Sequence, residues 1–194
     1  MQVPFINNCK LVLSLAWRVV LRFREVLYYI PSKIDNRGRF SSFVIPMSAM
    51  AALLSLFSMI VYTRDYQRAV AVMVFTFGTF LFYYIFFVTL LNVVARRDWF
   101  TNNPVRFCEH AKTFVVCILL VHFDVVFILS LFPDFSFTTL LEVYAIYVSW
   151  TLSHSYMELS QNKNFFGLGF GIFYVMFVKF FPSVIQICFP NMPI

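Results

Sequence analysis

Apolar positions in this chain run in unbroken blocks instead of alternating with polar ones. Residues 40–63 and 69–95 carry no charge; 113–132 holds Asp124, 137–159 holds Glu142 and, at its end, Glu158, and 164–189 holds Lys179. Each block reaches the roughly 20 residues that a helix needs to cross a hydrocarbon core about 30 Å thick. The two-residue alternation of barrel strands is absent. In lipid the backbone must satisfy its own hydrogen bonds, which leaves helices. The pattern predicts an all-α, polytopic membrane helical bundle with five transmembrane helices at about 40–63, 69–95, 113–132, 137–159 and 164–189.

An amphipathic N-terminal helix is expected before the first span, over residues 5–29. Leu11, Leu15, Val19, Phe23, Val26 and Ile30 recur at helical spacing, interrupted by Arg18, Arg22 and Arg24. Such a helix lies in the interface with its arginines toward lipid headgroups, or packs beneath the cytoplasmic side of the bundle. Pro31 ends it. The chain therefore divides into a cytoplasmic segment, 1–39, and a five-span domain, 40–190. Arg64-Asp65 marks a tight turn. In the basic loop 96–112, Asn102-Asn103-Pro104 is a turn and 105–111 a short interfacial helix. The four-residue links Pro133-Asp134-Phe135-Ser136 and Gln161-Asn162-Lys163-Asn164 make the last three spans an antiparallel meander.

Composition agrees with a lipid solvent. Of 194 residues 61% are hydrophobic and 12% charged, about half the charge of a soluble domain. The net charge of +6 does not point to nucleic acid, because the bases sit at span ends. With the N-terminus cytoplasmic, twelve lysines and arginines fall inside and two, Arg64 and Arg68, outside. The positive-inside rule then gives N-in, C-out. No cleavable signal peptide is expected, since Arg18 interrupts the short run Leu11–Trp17. Cys9, Cys108, Cys117 and Cys188 form no CxxC pair; Cys9 is a candidate for acylation beside a membrane.

Ionisable groups at membrane depth are costly, so each is a candidate site. Glu142 lies about 8 Å inside the outer end of its span and Lys179 about 21 Å from the inner end of its own, so the two are nearly level. An interhelix ion pair between them is expected, with Asp124 as the less favoured partner. His122 and Asp124 point about 200° apart on their helix and make no metal pair. Tyr147, Thr151, His154 and Glu158 share one face and read as a polar seam between helices; His110 is the nearest further group if His154 and Glu158 bound a metal. Gly167 and Gly171 form a small-residue face for close helix packing. There is no GxSxG, no HExxH and no serine–histidine set, so no catalytic residue, metal or cofactor is expected.

Trp17-Arg18 through Arg24, Pro31-Ser32-Lys33-Ile34, Phe43-Val44-Ile45-Pro46 entering the first span, the basic 106–112 loop, Leu131-Phe132-Pro133 and the Tyr144/Tyr147 span together resemble bacterial members of the Yip-domain family. These are relatives of Ypt/Rab-interacting membrane proteins, and the likeness covers roughly residues 15–185. It implies a five-helix membrane protein with a cytoplasmic N-terminus, placed in a bacterial inner membrane, and no established biochemical activity. The acidic DLYGP-type element of eukaryotic members is absent, so a Rab-type GTPase is not the expected partner. The expected function is non-enzymatic: interaction with lipids, with other membrane proteins or with itself, organising the membrane. The alternative is a small transporter or transporter subunit using Asp124 and Glu142 with Lys179.

Overall fold

The structure is a computed structural model and describes residues 4–22, 25, 40–97, 101, 103–132, 138–155 and 163–188. All regular structure in these residues is helical. The helices are α1 (Pro4–Leu21), α2 (Ile45–Thr63, entered through a π-helical segment, Phe40–Val44), α3 (Tyr66–Ala95), α4 (Pro104–Leu131), α5 (Thr138–Ser155) and α6 (Lys163–Cys188). Among the described residues four stretches are long and apolar enough to cross a bilayer: Ser42–Thr63, Tyr66–Ala95, Pro104–Leu131 and Phe165–Cys188. The chain is thus a multi-pass membrane protein. Helix α5 does not qualify, because its 18 residues include Glu142, His154 and several hydroxyl side chains.

Local chemistry sets the helix ends. Thr63 and Tyr66 are joined by two residues. Arg64 takes the left-handed conformation (φ 56°) that closes α2, its N–H donating to Ile60 O. Asp65 then caps α3, its Oδ1 accepting from Arg68 N–H at 3.0 Å. At α4, Asn103 Oδ1 accepts from Arg106 N–H at 3.2 Å and Pro104 occupies the first turn, where a missing N–H costs little. The separate interfacial helix expected over 105–111 is therefore not a separate element. No breaker lies between Ala111 and Thr113, so the capped helix runs on for 28 residues, about 42 Å at 1.5 Å each.

Successive helices α2 to α6 run antiparallel. One end of the bundle collects Val44, Ala95, Pro104 and Lys163; Arg96, Arg97 and Arg106 lie there, and it is called the basic end below. The far end collects Thr63, Tyr66, Leu131, Thr138 and Cys188. Helix α4 is the hub. Every residue from Thr113 to Val121, with Phe123 and Asp124, is buried, and α4 touches α1, α2, α3 and α5. At the far end Tyr62 Oη donates to Leu131 O at 3.1 Å, tying α2 to α4.

Aromatic rings fill the space between α3 and α6. Phe82 stacks on Phe181 with centroids 4.9 Å apart, Phe86 on Phe177 at 4.6 Å, and Phe87 tilts onto Tyr174 at 5.1 Å. Offset and edge contacts of this kind add to area burial by about 0.5–1.5 kcal/mol per pair. Without a hydrophobic drive between helices in lipid, such packing carries the association.

Helix α1 does more than lie on the surface. Val12, Leu15, Ala16 and Val19, spaced at three and four, are buried and belong to the same core as the spans. They pack on α4, α2 and the π-helical segment. Tyr144 of α5 donates from Oη to Val19 O at 2.7 Å, capping a carbonyl of the last turn of α1. Tyr144→Phe removes that donor and should cost about 1–2 kcal/mol. Faster amide exchange confined to the C-terminal turns of α1 would register it; unchanged protection would mean that the bond does not hold α1.

Candidate functional site

Two of the ionisable side chains within the bundle meet across α5 and α6. Lys179 Nζ lies 2.7 Å from Glu142 Oε2. Antiparallel packing of the two helices makes the residues level, and the pair lies toward the lipid-facing edge of the contact: the side chains are 54% and 23% exposed. Three residues after Lys179, Pro182 interrupts the amide ladder of α6 and leaves the Val178 carbonyl without its helical donor.

Beside Glu142 is a void of about 50 Å³, walled by Val121, His122, Ala145, Tyr174 and Val178 among others. That is room for a water or two and for no larger solute. The His122 ring lies 5.1 Å from that of Phe80, 5.7 Å from Tyr83 and 6.3 Å from Tyr174, the last two edge-on. The Tyr174 hydroxyl is buried with no hydrogen-bond partner. This grouping, drawn from α3, α4, α5 and α6, was not visible in the sequence, because no spacing along one helix links Tyr83, His122 and Tyr174.

Asp124 takes no part in it. It faces away from His122, is 8% exposed, and its Oδ2 has no partner. The alternative pairing with Lys179 is not formed. Its neighbourhood includes Tyr144, whose hydroxyl is already committed to Val19 and, at 3.4 Å, to Val20.

The expected polar seam on α5 requires correction. Tyr147 is 48% exposed and His154 is exposed, and Thr151 Oγ1 donates to the Tyr147 carbonyl of its own helix at 2.9 Å. That face points out of the bundle, the Tyr147 ring tilted against those of Trp150 and Tyr144 at 6.2 and 5.9 Å. Glu158 lies outside the described residues. Beside the Lys179–Glu142 pair, a hydrogen bond between α5 and α6 comes from the opposite side of α5: Ser149 Oγ donates to Gly167 O at 2.8 Å.

At Gly167 and Gly171 the backbone of α6 comes close to α5. A Cβ on Gly167 would overlap Ser153 Oγ and lie 2.7 Å from Trp150 Cα; one on Gly171 would lie 2.8 Å from Ile146 Cα. Gly169, between them, faces open space.

Arg18 on α1 and Arg22 just past its end, expected at headgroups, are exposed; Arg24 lies outside the described residues. Among the described residues no three His, Cys, Asp or Glu side chains gather as a metal site. All four cysteines are free. Partial burial raises the Cys9 thiol above its ordinary range, which leaves less thiolate for acylation at neutral pH. Compared with protein-family models, curated proteins and solved structures, the chain gives no match.

Proposed function

We propose that this chain is a non-enzymatic integral membrane protein that crosses the bilayer five times, N-terminus inside and C-terminus outside. It organises the membrane through contacts with lipids, neighbouring membrane proteins or itself. The observation that carries this reading is Lys179 Nζ at 2.7 Å from Glu142 Oε2 beside a void of about 50 Å³. The acid is neutralised by a partner, and the adjoining space is too small for a solute. The same pair supports α5 as the fifth crossing. Its 18 residues cover about 27 Å, it packs along α6, and Lys179 answers the acid that would otherwise keep it out of lipid. Outward-facing Leu53, Phe57, Ile172, Met176 and Phe180 are at least half or nearly half exposed and offer lipid an apolar face. The likeness to the Yip-domain family supports the same architecture and a bacterial inner membrane.

Asp124 favours a second reading, a small proton-linked transporter, because its buried Oδ2 has no partner and an ionisable group at membrane depth is a candidate for a proton path. Proteoliposomes separate the two. Under an imposed pH gradient the wild-type chain should pass protons no faster than empty vesicles. A wild-type flux abolished by Asp124→Asn or Glu142→Gln would replace the scaffold by the transporter. For topology, single cysteines at positions 132 and 163 in a cysteine-free background should react with an impermeant maleimide from opposite faces of sealed vesicles. Reaction from one face would remove α5 from the spans.

A further inference from the structure

Lys10, Ser14 and Arg18 of α1, and Arg22 just past its end with its N–H donating to Arg18 O, stand four residues apart, and all four are exposed. They form a ladder with rungs about 6 Å apart, turned away from the buried Val12, Leu15, Ala16 and Val19. Leu13, Trp17 and Leu21 run beside it, 46%, 69% and 65% exposed.

The depth of this ladder follows from three contacts. The buried face of α1 packs on α4 and α2, where the buried residues of α2 are those of its first half, Pro46 to Ala52. With the contact of α1 on the π-helical segment, this sets α1 against the half of the bundle nearer the basic end. Its last turn is fixed by Tyr144 Oη on Val19 O at 2.7 Å. Tyr144 is six residues into α5, about 9 Å from the far end. Arg18 therefore stands at the level of the hydrocarbon, and Arg22 about one turn nearer the far end. Neither Lys10 nor Arg18 has an ion-pair partner among the described residues; Arg22 meets Glu25 at 3.4 Å with both side chains well exposed.

An arginine cannot shed its proton, so a guanidinium at that level must reach a surface or bring an anion and water to itself. Phosphate oxygens are its best-matched anion, and the nearest phosphates belong to the phospholipids around the protein. We propose that α1 is a headgroup track. The ladder draws a phospholipid phosphate from the leaflet at the basic end into the bilayer, its acyl chains lying against Leu13, Trp17 and Leu21, and passes it toward the other leaflet. The protein would thereby exchange phospholipids between leaflets. This rests on the membrane-organising reading above, but fails separately: proton tightness and five crossings can hold with no lipid exchange.

The test uses the full chain in phosphatidylcholine–phosphatidylglycerol vesicles carrying a trace of NBD-phosphatidylcholine. Dithionite bleaches the outer leaflet of protein-free vesicles and leaves the inner pool. With the protein, the inner pool should bleach as well. Arg18→Gln with Arg22→Gln should slow this by about tenfold or more. Arg96→Gln with Arg97→Gln, which removes as much charge off the ladder, should retain the wild-type rate. Melting of each variant should match wild type, since all four side chains are exposed. The proposal is overturned if wild type spares the inner pool, if the Arg18/Arg22 variant exchanges lipid at the wild-type rate, or if the Arg96/Arg97 variant slows equally.

Discussion

Lys179→Met is expected to lower the stability of the detergent-solubilised protein by about 2–4 kcal/mol. Removing one member of an enclosed ion pair strands the other, and Glu142 is 23% exposed beside apolar Val178 and Ala145. The loss falls below that of a fully enclosed pair because the lysine is 54% exposed and water reaches it in a micelle. The double variant Lys179→Met, Glu142→Gln should recover most of the loss, since an uncharged pair of similar volume leaves nothing stranded. A thermal or denaturant midpoint for the four members of this cycle decides it. If Lys179→Met melts with wild type, the pair contributes nothing to holding α5 on α6.

Gly171→Val should be at least as damaging, by about 3 kcal/mol or more. The added Cβ would meet Ile146 Cα at 2.8 Å, and backbone cannot rotate aside as a side chain does. Helices α5 and α6 would have to separate, opening the Ser149–Gly167 hydrogen bond and drawing Lys179 from Glu142. Gly169→Ala supplies the contrast. Nothing lies within 4 Å of that Cβ, and alanine favours a helix over glycine by about 1 kcal/mol. It should leave stability unchanged or slightly raised. Equal damage at both positions would mean that the close approach of α5 at Gly171 is not what this helix needs its glycines for.

The helices were legible because lipid imposes a simple filter. Uninterrupted apolar runs located α2, α3 and α6 to within a few residues of their observed ends. Counting depth at a fixed rise per residue put Glu142 and Lys179 level, and their side chains meet. The start of α4 was harder to read: Arg106, Glu109, His110 and Lys112 look like a loop, while the Asn103 cap and Pro104 begin a helix there. Rotation about the helix axes was the least legible property. In water a polar face marks the outside; in lipid both sides of a span are apolar, so spacing shows which residues share a face and not where that face points. Tyr147, Thr151 and His154 do share one, but it turns outward. The His122–Tyr83–Tyr174 grouping depends on three such rotations at once, and the burial of Val12 and Val19 on another.

The weak hydropathy of α5 also bears on how the protein is made. A segment holding Glu142, His154 and several hydroxyl groups gains little by leaving the translocon alone, while α6, with mean hydropathy 1.8 in its best stretch, gains much. In the five-span reading α5 must wait at the ribosome exit until α6 follows and Lys179 can meet Glu142. Membrane entry of the last third is then a single event for a hairpin, and a chain cut short before α6 would leave α5 in water.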